Sequence, residues 1–456
     1  MIEALIDIKS KKQEILTGSS KLNLKKNNFF DKDEYFLNNM HLNKAYLGYL
    51  ENNLQGDADS KILEEFKKKY KDYRKNWHNQ PKMFYSNGYE KFNTNIKFSN
   101  PMCVDIEVAS ICDLGCPHCF REYIVTPDKI MDQNVFYKII DEISEMGVPS
   151  IKLNWRGEPL LHPKLCDFIS YAKNKSIIDV SINTNATTLT KKKSEELIAS
   201  GLDQIIYSFD GGTKFTYEKM RPGRFKNNTF EKVYDNIKLF HKIKTELNSK
   251  FPVTKIQMVM TKDTRNEVDN FYKLFGDIVD DVTVTQYNER GGNLEDLSLS
   301  KKKELEDYLK KNNLPINTPY VVNLEGEIFI SKKRKPCEQL FQRLMITYDG
   351  TVGMCCHDWG AQHSIGYINE AAFKVDEVIN DVEKKIKNNE KGFSLLKEAK
   401  KPKKYNTPPK KISKLKEIWT GTELNSVRKH HFEDKIDNLS VCKNCSFKDT
   451  YVWEKI

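Results

Sequence analysis

The sequence has 456 residues, a net charge of +10 and ten cysteines, and 39% of its residues are hydrophobic. A chain of this length is expected to form two or three domains with substantial cores. It begins with no signal-peptide pattern and contains no apolar run near the ~18 residues that a membrane span requires, so we expect a cytoplasmic protein without a membrane span. In that compartment clustered cysteines favour metal binding over disulfides.

Residues 1–100 are polar, and their pattern predicts a helical accessory region. Apolar residues recur at near-helical spacing in residues 2–16 and in residues 61–77. Aromatic residues are frequent throughout the region. This composition fits a helical layer packed on the main domain, and it also fits a domain that docks a peptide or a partner.

From residue 101 to about residue 300, short apolar runs alternate with amphipathic helical stretches. Six β/α units of this kind predict parallel strands covered by helices, with the chemistry at the carboxyl ends of the strands. The predicted strands are residues 104–108, 151–155, 179–184, 204–209, 255–261 and 282–287, and the predicted helices include residues 132–146, 194–199 and 230–244.

Three cysteines follow the first predicted strand at C-x3-C-x2-C spacing: Cys112, Cys116 and Cys119. Cysteine thiolates bind soft metals and iron–sulfur clusters, and zinc sites and the usual clusters need four protein ligands. Three ligands at short range therefore predict a 4Fe–4S cluster with one iron left open for a small molecule. Zinc and coincidence are the alternatives, although the spacing is not that of the usual C-x2-C zinc knuckle.

This cysteine motif after a first strand resembles the radical S-adenosylmethionine (SAM) superfamily. The resemblance implies a partial (β/α)6, TIM-like barrel at residues 101–300, in which SAM binds the open iron through its amino and carboxylate groups. One electron then cleaves the sulfonium and produces a 5'-deoxyadenosyl radical. His118 stands where the family usually has an aromatic residue beside the adenine.

Three further stretches at strand ends extend the resemblance. Residues 156–159 (Arg-Gly-Glu-Pro) resemble the family's GGEP turn, which implies that Glu158 or backbone carbonyls meet the SAM amino group. Residues 183–186 resemble a TNG stretch, and Ser208 is at the position expected near the SAM ribose. Arg221 is a candidate for binding the SAM carboxylate, with a surface ion pair as the alternative. The candidate SAM residues are His118, Gly157, Glu158, Pro159, Asn183, Asn185, Ser208 and Arg221.

A second cysteine set lies in the C-terminal third, with C-x12-G-x4-C from residue 337 to residue 355 and a distal CxxC. The pattern resembles the SPASM/twitch auxiliary cluster domains. A full SPASM domain has two further cysteines, which residues 446–456 lack, so the resemblance implies the twitch arrangement with one closed cluster suited to electron transfer. Zinc is again the alternative. The implied ligands of this auxiliary 4Fe–4S cluster are Cys337, Cys355, Cys442 and Cys445.

Two neighbours of this set, Cys356 and His357, are speculative catalytic candidates. The spacing from Gly350 selects Cys355 rather than Cys356 as the ligand, and core packing is the simplest role for Cys356. We expect the auxiliary domain to comprise residues 301–380 and 412–456.

Between those two parts lies a lysine-rich stretch at residues 381–411, which we name the basic segment. It contributes much of the net charge of +10. The sequence shows no helix-turn-helix signature and no stacking motif, so nucleic acid is not the favoured partner, and we expect a solvated loop or linker.

Together these features predict a radical SAM enzyme of the oxidoreductase type that dehydrogenates a sugar, cyclitol or nucleotide-sugar. A peptide-modifying enzyme and an epimerase are the alternatives within the family. A non-catalytic zinc- or iron–sulfur-binding protein is the alternative of another class. The expected partners are a sugar-like small molecule or a peptide as substrate, and an electron donor such as flavodoxin or ferredoxin.

Overall fold

The structure is a computed structural model that describes residues 30–43, 56–95, 99–286, 299–314, 318, 320–322, 327–443, 445, 447 and 451–456. The predicted helix at residues 2–16 lies outside these residues, as does Tyr287, the last residue of the sixth predicted strand. None of the helices in the described ranges is long and apolar enough to cross a bilayer.

The described residues contain twelve β-strands. In chain order they are β1 (Cys103–Ile106), β2 (Ser150–Lys152), β3 (Asp179–Thr184), β4 (Gln204–Ser208), β5 (Val253–Met260), β6 (Asp281–Gln286), β7 (Tyr320–Val322), β8 (Ile328–Arg334), β9 (Arg343–Ile346), β10 (Thr351–Gly353), β11 (Ser364–Tyr367) and β12 (Tyr451–Lys455). All six strands predicted for the barrel are present, and β2 ends at Lys152, three residues before its predicted end.

Nine of these strands form one sheet in the order β11-β10-β9-β1-β2-β3-β4-β5-β6. The strands β1 to β6 are parallel and adjacent in sequence order, which is the topology of a partial (β/α)6 barrel. On its other side β1 pairs in parallel with β9, and β10 and β11 continue the sheet in antiparallel fashion. The C-terminal region therefore extends the barrel sheet, and a separate three-stranded sheet has the order β12-β8-β7.

Fourteen α-helices lie within the described residues. They are α1 (Lys32–Asn39), α2 (Gly56–Asn95), α3 (Gln133–Glu145), α4 (Leu165–Asn174), α5 (Lys191–Ala199), α6 (Lys214–Met220), α7 (Phe230–Glu246), α8 (Val268–Phe275), α9 (Leu299–Lys311), α10 (Gln339–Gln342), α11 (Val375–Lys387), α12 (Leu415–Thr420), α13 (Thr422–Phe432) and α14 (Ser440–Lys443). The side chains of Asp132, Thr190 and Thr213 cap the barrel helices α3, α5 and α6 by accepting backbone N–H bonds.

The helices cover one face of the parallel sheet, and the other face is polar. Val104 and Ile106 of β1 join the main apolar core together with Phe136 of α3. Because side chains alternate along a strand, Asp105 and Glu107 lie on the opposite face. The sheet thus separates an apolar core under the helices from a polar interior.

The described part of the accessory region is helical. Phe36 of α1 and Tyr70 of α2 form a second apolar cluster with Phe251 and Val253 of the barrel. Farther along α2, Gln80 Nε2 donates to the backbone oxygen of Phe341 at 2.9 Å. The helix α2 therefore joins the barrel to the C-terminal region.

The basic segment differs from the solvated loop that the sequence predicts. Its first residues belong to α11, and Phe393, Leu396 and Pro402 are buried. Lys400 forms backbone hydrogen bonds of 3.0 and 2.9 Å with Val125 and Tyr123. The physical reason is the apolar residues spaced between the lysines, which anchor the segment while the charged side chains face solvent.

Candidate active site

The stretch of residues 111–119 that follows β1, named here the cysteine loop, is held by two neighbouring loops of the barrel. Three backbone hydrogen bonds of 2.8 Å join it to the loop after β2 and to the loop after α6, from Glu158 N to Ile111 O, from Gly115 N to Pro222 O, and from Arg224 N to Asp113 O. Within the loop, Cys119 N donates to Cys116 O at 2.9 Å. The three cysteines therefore sit on a backbone that the barrel positions at the carboxyl ends of its strands.

The thiols of this loop disfavour one another's ionisation. Burial raises the pKa of Cys112 well above its ordinary value, and the charges of Asp113 and Cys116 add to the effect. Burial also raises the pKa of Cys116 to about 12, with Cys119 adding to the shift and Arg221 opposing it. The Cys112 and Cys116 thiols in this state need a bound cation to become thiolates. The donor set therefore fits an iron–sulfur cluster.

The turn after β2 approaches the cysteine loop so closely that it requires glycine. Gly157 has φ +74°, and a Cβ there would lie 2.5 Å from Ala109 O and 2.6 Å from Ile111 O. Pro159 follows as the first residue of a short 3-10 turn whose first amide group is capped by Glu158. Gly157 thus sets the distance between the two loops.

We expect Gly157→Ala to destabilise the protein more than Gly147→Ala. Gly147 has φ +71°, and a Cβ there would meet nothing within 4 Å, so its substitution should cost only the left-handed backbone strain of about 1–2 kcal/mol. Gly157→Ala should add about 1–3 kcal/mol because its Cβ would displace the cysteine loop. Urea unfolding of both variants measures the difference. Equal losses in the free energy of unfolding would show that the close approach of the two loops does not constrain position 157.

Glu158 joins the turn after β2 to the end of β3. Its Oε1 accepts hydrogen bonds from Thr184 Oγ1 at 2.6 Å and Leu160 N at 3.0 Å, and its Oε2 accepts from Asn185 N at 2.7 Å. Burial raises its pKa to about 7, and the bonds from Thr184 and Asn185 oppose that rise. Both carboxylate oxygens therefore accept hydrogen bonds from this chain's own groups.

The end of β3 faces the cysteine loop. Asn185 Nδ2 donates to Asp113 Oδ1 at 2.8 Å and lies 3.9 Å from Cys112 Sγ. Asn183 Oδ1 is buried and has no hydrogen-bond partner among the described residues. Ser208 is half-buried at the end of β4. An unpaired buried acceptor of this kind fits a polar ligand at the strand ends.

His118 and Arg221 meet on Asp210, a residue that the sequence did not single out as a site residue. Arg221 Nε and Nη2 lie 2.7 and 2.6 Å from Asp210 Oδ2, and His118 Nε2 lies 3.1 Å from the same oxygen. Burial alone would raise the pKa of Asp210, but Arg221 and His118 more than offset this and hold the pKa well below its usual range. Arg221 is thus in a buried ion pair with Asp210. Among the described residues it forms no surface ion pair of the kind that the sequence suggested, and its guanidinium is not free.

Arg224 is a second functional position that sequence patterns missed. Its Nη1 donates to Cys112 O at 2.7 Å, its Nε donates to Gly392 O at 2.8 Å, and its guanidinium pairs with Asp128 at 3.0 Å. One buried side chain therefore ties the cysteine loop to the basic segment. In the sequence, nothing marks Arg224 except that it lies three residues after Arg221.

The side chains of the second cysteine set line one common cavity. Burial raises the pKa of Cys337 well above its ordinary value, and the nearby Cys445 and Cys442 add to the shift. Within the described part of the chain, no three His, Cys, Asp or Glu side chains are placed to hold a single metal ion, and the four thiols are spread around the cavity wall. The wall is formed by Cys337, Cys355, Cys442, Cys445, Arg334, Leu340, Met354, His357, His431, Val441 and Phe447.

The two adjacent cysteines have different surroundings. Cys355 lines the cavity, and its Sγ accepts a hydrogen bond from His357 N at 3.3 Å. Cys356 is not part of the cavity wall, and its side chain packs with Trp155 and Met345. Its backbone oxygen accepts a 2.7 Å hydrogen bond from Trp155 Nε1. The cavity thus has a set of four soft donors that fits a cluster, with Cys356 outside it.

Two parts of the chain match protein-family models. Residues 106–275 match the radical SAM superfamily, and residues 337–405 match the iron–sulfur cluster-binding domain SPASM. These ranges contain the cysteine loop and the first part of the cavity wall, respectively.

Curated relatives and solved structures give partial or distant matches. A tungsten-containing aldehyde ferredoxin oxidoreductase cofactor-modifying protein of Pyrococcus furiosus is 32% identical over 23% of this chain and 30% of that protein. A probable GTP 3',8-cyclase of Methanococcus maripaludis is 34% identical over 26% of this chain and 39% of that protein. The chain therefore spans little more than a third of the length of these relatives. The structure of anSMEcpe with bound AdoMet and Cp18Cys peptide is 16% identical, with 77% of this chain and 92% of that chain covered and a TM-score of 0.46.

Proposed function

The chain contains a radical SAM domain followed by a SPASM iron–sulfur cluster-binding domain, and from this premise we propose that it is an enzyme that dehydrogenates a sugar-like substrate. The two domains indicate a catalytic 4Fe–4S cluster, SAM and an auxiliary cluster as cofactors. When bound, the reduced cluster and SAM supply a 5'-deoxyadenosyl radical that abstracts hydrogen from the substrate. The observation that carries the proposal is the set of three thiols on one loop, which backbone hydrogen bonds fix to the turn after β2 and to the loop after α6.

Cys112, Cys116 and Cys119 would hold the catalytic cluster, and the strand ends around them would bind SAM. The backbone carbonyls of the turn at residues 157–159 are proposed to accept from the amino group. Asn183 Oδ1, which lacks a partner among the described residues, is proposed to accept a hydrogen bond from the bound molecule. Because Arg221 and His118 share Asp210, we assign Arg221 to positioning His118 beside the cysteine loop rather than to direct SAM binding.

The polar interior of the barrel supports a sugar-like substrate. On the strands β2 to β6, residues that alternate with core members are half-buried and rich in hydroxyl, amide and amino groups. Such groups suit a ligand with many hydroxyls, because each must find a partner once water is displaced. The polar residues of this kind are Lys152, Ser181, Asn183, Ser208, Lys255, Gln257, Asp281, Thr283 and Thr285, with Asn154 just after β2, whereas Ile206 and Val259 at equivalent positions are apolar.

Dehydrogenation requires an electron acceptor, which the second cysteine set would supply. Cys337, Cys355, Cys442 and Cys445 would hold an auxiliary cluster in their common cavity. The bond from Trp155, just after β2, to Cys356 O joins the barrel to the residue next to Cys355, which lines the cavity. This proximity supports net oxidation over a reaction that leaves the redox state of the substrate unchanged.

The test is anaerobic reconstitution followed by iron counting and a SAM cleavage assay. We expect about eight irons per chain from two 4Fe–4S clusters. Reduction with SAM present should release 5'-deoxyadenosine. Cys112→Ala should abolish release and remove about half of the iron, whereas Cys166→Ala, which alters a cysteine packed against the core, should change neither. No cleavage by the wild-type protein together with stoichiometric zinc would overturn the enzyme assignment.

Substrate class is tested by which compounds stimulate cleavage above the uncoupled rate. We expect stimulation by a cyclitol, sugar or nucleotide-sugar in a panel that also contains peptides. The product should be two hydrogens lighter than the substrate. Stimulation by a peptide alone, or a product of unchanged mass, would overturn the dehydrogenation of a sugar while leaving radical SAM chemistry in place.

A further inference from the structure

The basic segment concentrates the positive charge of the protein. Its eleven lysines and four acidic residues give a net charge of +7, in a chain whose net charge is +10. A run of lysines is commonly a solvated face with no partner, and such a face needs no fixed position in the fold. The structure, however, places this segment against one particular loop.

The inner side of the basic segment is anchored on the cysteine loop. Leu395 packs against Gly115 so closely that a Cβ on that glycine would lie 2.5 Å from Leu395 Cδ1. Arg224 binds the backbone oxygens of Cys112 and Gly392 together, at 2.7 and 2.8 Å. The backbone of Lys400 pairs with the chain that follows Cys119. Apolar and backbone contacts thus hold the segment over the loop that carries the three cysteines.

The outer side of the same segment is cationic. Lys397, Lys400, Lys403 and Lys404 are all exposed, and none of them forms an ion pair with a residue that the structure describes. Their side chains therefore form no close ion pair with a described carboxylate, although Lys404 lies near enough to Asp358 to oppose the rise in the pKa of that buried carboxyl. They form a positive surface whose backbone is bonded to the chain just after the cysteine loop and is joined to Cys112 through Arg224.

We propose that this outer face of the basic segment is the docking surface of an acidic one-electron donor protein. The inference rests on the proposed function, since a cluster held by the cysteine loop must be reduced from outside the protein. The donor loses one electron and SAM gains it as its C–S bond breaks to methionine and the 5'-deoxyadenosyl radical, so the step is balanced. Complementary charge would steer the donor to the one surface that lies over this loop.

The test compares two variants with the same change in charge. In the first, Lys397, Lys400, Lys403 and Lys404 are all changed to Glu. In the matched control, four exposed lysines of α2, α7 and α8 without ion pairs to described residues are changed to Glu, namely Lys71, Lys75, Lys232 and Lys273. An acidic flavodoxin is the probe. Its affinity for each reconstituted protein is measured by calorimetry at low and at high salt, and SAM cleavage is driven either by the reduced flavodoxin or by dithionite.

We expect the first variant to bind flavodoxin at least about tenfold more weakly than the control variant, with the difference lost at high salt. Flavodoxin-driven cleavage should fall accordingly, and dithionite-driven cleavage should be equal in the two variants. Equal flavodoxin affinities would overturn the docking surface, and so would loss of RNA binding in the first variant with its flavodoxin affinity unchanged. If dithionite fails to drive SAM cleavage in the wild-type protein, the proposed function is overturned. The comparison of flavodoxin affinities would still test whether the basic segment is a docking surface.

Discussion

Cys355→Ala will remove about half of the iron from the reconstituted protein, whereas Cys356→Ala will leave the iron content unchanged. The two residues are adjacent, but only Cys355 lines the cavity with Cys337 and Cys442. The side chain of Cys356 packs instead with Trp155 and Met345. Iron and sulfide analysis, with the absorbance of the clusters, measures the difference.

The comparison separates the auxiliary site from the catalytic one. Both variants should still release 5'-deoxyadenosine, because neither changes the cysteine loop. The loss of iron in Cys355→Ala should match that in Cys442→Ala, since a closed cluster needs all four thiolates. Iron loss on changing Cys356 but not Cys355 would reverse the ligand assignment. Stoichiometric zinc in the wild-type protein, lost in Cys355→Ala, would replace the auxiliary cluster with a zinc site.

The cysteine motifs and strands were predictable because each depends on residues near one another in the sequence. Spacing alone selected Cys112, Cys116 and Cys119, and alternating apolar runs located the six parallel strands. The distinction between Cys355 and Cys356 also followed from the spacing to Gly350, and the cavity places Cys355 with the other three thiols. Local patterns are thus sufficient to locate the parallel strands and to group the cysteines that the fold brings together.

The partners of charged residues were not predictable, because they are set by pairs far apart in the chain. Arg156 stands where the family's turn has glycine, and the structure gives the reason in two hydrogen bonds to Glu107 of 2.6 and 2.7 Å. Glu158 was expected to face SAM, yet three donors of its own chain surround it. Asp210 precedes Gly211 in the sequence, and only the fold brings it beside His118.

The basic segment is a second case in which the sequence does not predict contacts between residues far apart in the chain. Its charge indicated a solvated stretch, and its lysine side chains are indeed exposed. Phe393 and Leu396 are buried against Ile379 and Val382 of α11 and against Val125, which lies more than two hundred residues earlier in the sequence. The composition of the segment therefore predicts that its lysines are exposed, but it does not predict which part of the protein the segment packs against.

We expect Asp210→Asn to lower the free energy of unfolding at neutral pH by about 3–5 kcal/mol, the loss typical when one partner of a buried ion pair is removed. Asp210 is fully buried, and its Oδ2 lies within 3.1 Å of groups on Arg221 and His118. Asparagine is nearly the same size but uncharged, so the Arg221 guanidinium would remain buried without a counter-charge. Urea unfolding of the two proteins, prepared identically, measures the loss.

The matched control is Asp263→Asn. Asp263 pairs with Lys219 at 2.7 Å, but both side chains are partly exposed, and such pairs contribute about 1 kcal/mol or less. If the two substitutions destabilise the protein equally, burial does not make the Asp210 ion pair more important for stability than an exposed pair. A loss of SAM affinity without a loss of stability would instead place Asp210 in contact with the ligand.

The pH dependence provides a second check on the same pair. Because the folded protein holds the pKa of Asp210 below its usual range, its stabilising effect is complete above the unfolded-state pKa of about 3.9 and is lost as pH falls below that value. The gap in stability between the wild-type protein and Asp210→Asn should therefore be constant from neutral pH to about pH 5 and should shrink below about pH 4. A gap that widened on acidification would mean that Asp210 binds its proton more tightly in the folded state, contrary to its pairing with Arg221 and His118.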